Sequence, residues 1–441
     1  MGRDEGATTS GAPAPAESGG RSYALVTLGC PKNQVDSDKL EGTLTASGYT
    51  RASSAGDADL VVVNTCAFIE AARQESVDTV LELSEARRPG ARLVVTGCMA
   101  ERYGDELAAA LPEVDQVAGF GVPVTLGPKP AGLAAPRLDL LNLPRPAPTA
   151  PWAYVKIAEG CDRSCGFCAI PSFRGPQRSR TTRAILGEVE ALVAGGVREV
   201  VLVAQDLAAY GRDRGGPLPA DERIVPLIEA VAERAPWTRL LYLYPSDLSD
   251  GLIDVIGSRT GVPYFDLSLQ HVSKPLLRAM RRWGDGDRFL SRIGDIRARF
   301  PAAALRSSFI VGYPGETEAD HDQLLSFLAD ARLDWVGLFA YSAEEGTHAA
   351  GLDGAVPAGL AAERLAEARA LVDGQTAVLR HQQVGQVIEV LVDAPGIARS
   401  SREAPEIDGI VHVPDELEVG SFAKVEVVGV AGPDLYAAAV A

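Results

Sequence analysis

The stretch CDRSCGFC places Cys161, Cys165 and Cys168 within eight residues, and no fourth cysteine follows. Thiols this close together point to a metal. A structural zinc site is nearly always closed by four ligands, from Cys or His. The five histidines, His271, His321, His348, His381 and His412, all lie far from this loop in sequence. A four-iron sulfur cluster also normally takes four thiolates. Three thiolates leave one iron with an open place, for a ligand that must react there. Phe167, between the last two cysteines, offers that place an apolar face.

The other three cysteines are Cys30, Cys66 and Cys98. Each ends a β-rich apolar run: YALVTLGC (23–30), LVVVNTC (60–66) and RLVVTGC (92–98). Helix-like stretches at 35–48 and 68–88 lie between them. This alternation predicts a parallel, flavodoxin-like sheet with right-handed crossovers. In such a sheet all strand carboxyl ends share one edge, where ligands bind. Three residues remote in sequence therefore converge. A lone buried cysteine is an ordinary core residue, but three in the same structural position form a pattern.

The compact triad follows WAYVKIAEG (152–160), which reads as a strand running into a glycine loop. Five more strand candidates follow the one at 152–158: 199–204, 239–244, 264–269, 304–311 and 334–341. Helix-like segments at 181–195, 223–234, 286–299 and 317–331 separate most of them. The expected fold is an incomplete (β/α)6 TIM-type barrel, since eight units would be needed for closure. Its side opening suits a macromolecular substrate. Ligand-binding loops are expected at the strand carboxyl ends, at Gln205 and Asp206, Tyr244 to Ser246, Gln270 and His271, Gly312 to Glu316, and Tyr341 and Ser342. His271 has two readings, a general base or a hydrogen-bonded structural histidine. Arg174, Arg178, Arg180 and Arg183 read as a solvated face, or as anchors for a cofactor carboxylate or an acidic substrate group.

From about residue 372 the helical pattern gives way to short β-type runs at 384–393, 409–413, 420–430 and 435–440. They predict a small antiparallel β-barrel. Residues 382–441 hold ten acidic and three basic side chains, a net of −7. That is the wrong sign for phosphate and the right sign for a basic protein partner. The whole chain carries −17 over 441 residues and repels nucleic acid in general. No apolar run reaches the length of a membrane span, and the first residues lack a signal-peptide pattern. A cytoplasmic location is expected, where clustered cysteines mean metal or catalysis rather than disulfides. The Gly-, Ala-, Pro- and Ser-rich residues at the start read as a disordered tail, 1–21. A Pro-, Leu- and Ala-rich stretch reads as a linker, 124–146, that sets the distance between the two cysteine sites.

Taken together, the three parts resemble the radical S-adenosylmethionine methylthiotransferases. The resemblance divides the chain into an auxiliary-cluster domain (22–123), a radical S-adenosylmethionine barrel (147–375) and a TRAM domain (376–441). TLGCPKNQVDSD (27–38), EGCDRSCGFCAIPSFRGPQRSR (159–180), AQDLAAYG (204–211), YSAEEGT (341–347) and EAPEIDG (403–409) are similar to the branch that modifies small-subunit ribosomal protein S twelve. Ser172 and Phe173 stand where the tRNA-modifying branch would have another pair.

The resemblance implies two 4Fe–4S clusters and S-adenosyl-L-methionine. Cys161, Cys165 and Cys168 would hold the radical-generating cluster, whose open iron chelates the methionyl amine and carboxylate. Cys30, Cys66 and Cys98 would hold the auxiliary cluster that presents the sulfur. The reaction implied is insertion of a methylthio group at the β-carbon of an aspartate in S twelve, free or in the small ribosomal subunit. Phe167, Gln205, Asp206, Tyr244, Gln270, Gly312 and Tyr341 are the expected cofactor contacts, with no catalytic side chain beyond the cluster ligands. A flavodoxin or ferredoxin would donate electrons. No membrane partner and no direct tRNA binding are expected. The alternatives are a methylthiotransferase acting on a modified adenosine of tRNA, and a non-catalytic zinc-bearing ribosome-binding factor.

Overall fold

A computed structural model describes residues 21–124, 137–215 and 223–440. The expected tail, apart from Arg21, and residues 125–136 of the expected linker lie outside the described residues.

Strands β1 (Ser22–Thr27), β2 (Thr50–Arg51), β3 (Leu60–Thr65), β4 (Arg92–Gly97) and β5 (Gln116–Ala118) form one parallel sheet in the order β2-β1-β3-β4-β5. This is the flavodoxin-like order. Helices α1 (Pro31–Ala46), α2 (Glu70–Ala86) and α3 (Cys98–Ala110) make the crossovers. The central strands LVVVNT and RLVVTG are apolar on both faces because both faces are covered. Val61, Val63 and Val95 pack with Val80 of α2 and Leu107 of α3. Leu60, Val62 and Val94 pack on the other side with Leu40 and Leu44 of α1.

Five of the six barrel strands stand where the sequence placed them, whereas the one expected at 239–244 starts two residues earlier and ends at Leu240. β6 (Trp152–Lys156) is followed by a small hairpin of β7 (Ala158–Glu159) and β8 (Arg178–Ser179). Then come β9 (Glu199–Val203), β10 (Trp237–Leu240), β11 (Tyr264–Gln270), β12 (Ala304–Val311) and β13 (Trp335–Ala340). Parallel pairing gives β10-β9-β6 and β11-β12-β13, and a Leu243–Leu267 bridge joins the two sheets. The arc therefore runs β6-β9-β10-β11-β12-β13, with β6 and β13 unpaired with each other. Helices α4 (Ile170–Arg174), α5 (Thr182–Ala194), α6 (Ile224–Ala232), α7 (Asp250–Ser258), α8 (Lys274–Ala279), α9 (Gly286–Arg299) and α10 (Glu318–Ala331) lie between its strands. Alternate strand residues such as Val155, Val200, Leu240, Phe265 and Leu305 join the helices in one large core.

The open arc is bridged from above. Lys39 of α1 pairs with Glu188 of α5 at 2.7 Å, and Lys156 of β6 pairs with Asp36 of α1 at 2.5 Å. On the opposite edge, Glu344 in the loop after β13 pairs with Arg73 of α2 and Arg102 of α3. The first domain thus spans both free edges of the barrel. Residues 137–146 are fixed as well, because Arg145 pairs with Asp38 and Glu188.

Helix α11 (Ala358–His381) continues nine residues past the point where the sequence pattern seemed to end. Its last turn is held by tertiary contact: Arg380 pairs with Glu403 at 2.5 Å, both buried. Strands β14 (Val387–Ala394), β15 (Ile397–Ser400), β16 (Val411–His412), β17 (Phe422–Ala431) and β18 (Asp434–Ala439) close into a barrel, β14-β15-β16-β18-β17. Closure removes exposed sheet edges. Two details differ from the expectation. β15 carried no signal of its own, being only four residues long, and β16 pairs with β18 in parallel.

The motif EAPEIDG has a structural place. Residues 399–408 floor the large barrel at its strand amino ends. Arg399 and Arg239 both pair with Glu199 at 2.6 Å. Tyr264 donates to Asp408 at 2.6 Å, Tyr154 to the Pro405 carbonyl at 2.7 Å, and Trp335 to the Arg402 carbonyl at 2.6 Å. Three of the acidic residues counted toward an outward charge are therefore committed inside: Asp393 to Arg399, Glu403 to Arg380 and Asp408 to Arg306. Glu389, Asp415, Glu416, Glu418 and Glu426 are exposed, with Lys424 among them, so the outward sign stays negative.

Candidate active site

The compact triad sits on a loop that the structure pins at several points. The β7–β8 hairpin brackets it, and Cys161 N–H donates to the Gly175 carbonyl at 3.1 Å. Gly160 (φ 78°) is required, since a Cβ there would meet the Pro176 carbonyl oxygen at 2.1 Å. Further along, Gly166 N–H donates to the Met280 carbonyl, and the Gly166 carbonyl accepts from Ala349 N–H, both at 2.8 Å. Two cations attend the thiols. Arg282 Nη1 lies 3.2 Å from Cys165 Sγ. Arg163, whose backbone N–H reaches Cys161 Sγ at 3.4 Å, pairs with Asp206 at 2.6 Å and with Asp247. The Tyr244 ring packs against both guanidinium groups, at 3.9 and 4.2 Å.

The dispersed triad converges at the carboxyl edge of the first sheet, as strand-end placement predicts. Cys30 caps α1, Cys66 follows β3 and Cys98 opens α3. Gly97 (φ 91°) turns β4 into α3 where a Cβ would meet Asn64 Oδ1 at 2.2 Å. All six cysteines are free. Burial pushes the Cys66 thiol up to about 12, with the Cys30 and Cys98 thiols adding to it. Burial likewise raises Cys168 to about 12, with Cys165 and Cys161 contributing, and Cys161 to about 11. Each set of three thiols is thus mutually coupled, and a metal would deprotonate it on binding. Among the described residues no three Cys, His, Asp or Glu side chains are arranged to hold a single metal ion. A tetrahedral zinc with bonds of about 2.3 Å would draw its thiolates close together. Two triads with no fourth ligand suit iron–sulfur clusters, each with one iron left open.

A buried polar bridge joins the two sites. Arg174, at the end of α4, donates through Nη2 to Cys98 Sγ at 3.1 Å and to Asn33 Oδ1 at 2.6 Å. The same guanidinium reaches Asp36 at 3.1 Å and Glu159 at 2.7 Å. Glu159 also holds Lys156 at 2.6 Å and accepts from Gln205 Nε2 at 2.8 Å. Burial raises the Glu159 carboxyl, but Arg174 and Lys156 outweigh it and hold the group well below the usual carboxylate range. The arginine run is therefore not one solvated face. Arg174 and Arg180 are buried and paired, whereas Arg178 and Arg183 are exposed.

The expected cofactor contacts gather at the barrel mouth in different states. Phe167 packs on the main core beside the triad. Gln205 Oε1, Asp206 Oδ1 and Tyr341 Oη are buried without partners among the described residues. These orphaned oxygens at strand carboxyl ends are what a bound polar cofactor would satisfy. Asp206 has its other oxygen on Arg163, and the Tyr341 ring packs edge-on to Tyr313 at 5.3 Å. Gln270 adopts φ 72° at the end of β11. Gly312 N–H is taken by Glu316, and a Cβ at Gly312 would meet Ala361 of α11 at 2.8 Å. Arg163, Arg282, Glu159 and Lys156 were not singled out from sequence. Arg163 and Glu159 adjoin the cysteine motif and so were findable, whereas Arg282 carries no local signal.

His271 resolves to the structural reading. It is fully buried, and its Nδ1 accepts from Ser273 N–H at 3.0 Å. Burial holds the imidazole down at about 4. An unfolded chain would bind this proton near pH 6.5. Stability from the neutral ring is thus present above pH 6.5 and lost as pH falls toward 4, by about 3 kcal/mol in all. Urea unfolding at pH 7 and pH 5 is expected to show this loss in the wild type and a smaller one in His271→Gln. Equal losses in the two would remove His271 as the cause.

Three family profiles match the chain: an uncharacterised protein family (UPF0004) over 22–119, the radical SAM superfamily over 155–328, and the TRAM domain over 384–440. A protein of Kineococcus radiotolerans named ribosomal protein uS12 methylthiotransferase RimO is 41% identical, across 96% of this chain and 98% of its own. Its namesake in Moorella thermoacetica is 42% identical, across 91% of this chain and 95% of its own. The chain belongs to the RimO family. Among solved structures, the radical S-adenosylmethionine methyltransferase TsrM of Kitasatospora setae aligns at TM-score 0.49 and 13% identity, covering 73% of this chain and 72% of that one. The three profiles fall in turn on the parallel sheet, on the open barrel from β6 into α10, and on the closed barrel described above.

Proposed function

We propose that this RimO-family chain inserts a methylthio group at the β-carbon of an aspartate in ribosomal protein S twelve (uS12), using S-adenosyl-L-methionine and two 4Fe–4S clusters. The observation that carries the reading is the presence of two free-cysteine triads, with one buried arginine tying Cys98 of the first to Glu159, two residues before Cys161 of the second, in a chain similar to RimO proteins along nearly its whole length. When bound, the clusters and the cofactor supply the carbon-centred oxidant and the sulfur. The chain's own residues do the rest. Cys161, Cys165 and Cys168 hold one cluster, with Arg282 beside Cys165 balancing its negative charge and the Arg163 backbone N–H on Cys161. Cys30, Cys66 and Cys98 hold the other, with Arg174 donating to Cys98. Gln205, Asp206 and Tyr341 offer unfilled polar atoms toward the cofactor, while Phe167, Tyr244, Gln270 and Gly312 shape the mouth.

The units acting together are the domain at 22–123, the barrel at 147–375 and the TRAM domain at 376–441, with 124–146 setting the spacing of the clusters. The acidic exposed face of the TRAM domain favours a basic protein over tRNA. Among the described residues no helix is long and apolar enough to cross a membrane; the cytoplasm is the proposed location. A flavodoxin or ferredoxin is the proposed electron source.

The test is anaerobic reconstitution with iron and sulfide, dithionite reduction, and addition of the cofactor with recombinant S twelve. Mass spectrometry should find one methylthio group on one aspartate. Deoxyadenosine without modified S twelve would redirect the substrate to tRNA. Stoichiometric zinc without acid-labile sulfide would end the enzyme reading altogether.

A further inference from the structure

Lys32 stands two residues after Cys30, in the first turn of α1. Its side chain is only 7% exposed. Its ammonium lies 3.3 Å from the centroid of the Tyr242 ring, and among the described residues it has no hydrogen bond or ion pair to a carboxylate. Other buried cations are paired: Lys39 with Glu188, Lys156 with Asp36, Arg174 with Glu159, Arg239 with Glu199 and Arg380 with Glu403. Nearby acids are already committed. Asp36 serves Lys156 and Arg174, while Asp266 serves Arg306 and the Tyr242 N–H, both at 2.9 Å. A buried ammonium without a counter-charge is unfavourable, and an aromatic face compensates only part of that. The fold therefore keeps a desolvated positive charge that no carboxylate of the described residues neutralises; burial raises the neighbouring Cys30 thiol, but Lys32 and Arg174 outweigh it and draw that thiol below its usual value.

Position narrows the anion. Tyr242 follows β10 at the carboxyl edge of the barrel, in a left-handed conformation (φ 66°). Lys32 is thus held between the barrel mouth and the Cys30 triad. The compact triad has its own cations, Arg163 and Arg282. We infer that Lys32 binds the side-chain carboxylate of the aspartate being modified. In aspartate the β-carbon is bonded directly to that carboxylate. Anchoring the carboxylate beside Cys30 therefore brings the β-carbon to the sulfur-bearing triad. An adenine base has no carboxylate beside the carbon to be modified, so this anchor fits the aspartate and not the base. This inference rests on the function proposed above.

The test uses reconstituted holoenzyme and two forms of recombinant S twelve, one with the modified aspartate and one with Asn there, the position being read from the wild-type product. The wild type should prefer Asp by about a hundredfold in kcat/KM. Lys32→Met should lose about a hundredfold on the Asp form and distinguish Asp from Asn hardly at all. Its KM for S-adenosylmethionine should not rise. Lys32→Arg, which keeps the charge, should retain the preference for Asp. An unchanged Asp preference in Lys32→Met overturns the inference. So does a raised cofactor KM there, which would assign the ammonium to the methionyl carboxylate. If Lys32→Met fails to hold iron and sulfide, Lys32→Arg decides: loss of the Asp preference in a cluster-loaded Arg variant overturns the inference. A wild type that leaves S twelve unmodified defeats the proposed function first, and this inference with it.

Discussion

Replacing Cys165 with Ala is expected to abolish deoxyadenosine formation, while replacing Cys66 with Ala leaves it in place and abolishes sulfur insertion. The two triads are chemically alike but sit in different surroundings. Cys165 receives Arg282 at 3.2 Å, on a loop clamped to the barrel through Gly166. Cys66 follows β3 of a separate sheet, and its backbone N–H donates to Ser76 Oγ at 3.2 Å. Losing one thiolate of three removes a ligand of the cluster at that site and leaves the other site's ligands intact. The measurement is deoxyadenosine by chromatography alongside methylthiolated S twelve by mass spectrometry, with iron and sulfide content for each variant. Equal loss of cleavage in both would mean that the division of roles is wrong, or that the auxiliary site is needed for the barrel to assemble.

The second large effect is expected at Arg174. This one guanidinium neutralises Asp36 and Glu159, donates to Cys98, and ties the cysteine loop of the barrel to α1 of the first domain. Arg174→Met leaves two buried carboxylates with Lys156 as their remaining cation. Breaking a buried pair in this way costs about 3–5 kcal/mol. Arg174→Lys should recover little, because a point charge cannot span the positions that a planar fork reaches. Urea unfolding of the anaerobic holoprotein, followed together with the electron paramagnetic resonance of the auxiliary cluster, reports both consequences. A Met variant within about 1 kcal/mol of the wild type, with an unaltered spectrum, would show the bridge to be energetically idle.

What the sequence determined by itself was the set of parts. The two cysteine triads, the six barrel strands and the three-part order could be read because each is encoded locally. Cysteine spacing, β-branched runs such as LVVVNT, and their alternation with helical stretches all act over a few residues. Convergence of Cys30, Cys66 and Cys98 was also legible, since a parallel sheet puts its strand ends on one edge.

Tertiary structure alone decided how those parts are joined. In sequence Arg174 had two readings, a solvated face or an anchor for an acidic group, and Lys156 carried no signal beyond its place in a strand. They are buried because α1 descends onto β6 and supplies Asp36, which lies over a hundred residues away. The last turn of α11 and the four-residue strand β15 exist through contacts with Glu403 and with neighbouring strands, not through propensity. Lys32 is the sharpest case. Its position in GCPKNQ was visible, but the lack of a carboxylate partner depends on the acids around it, and only the packed molecule shows Asp36 and Asp266 already taken.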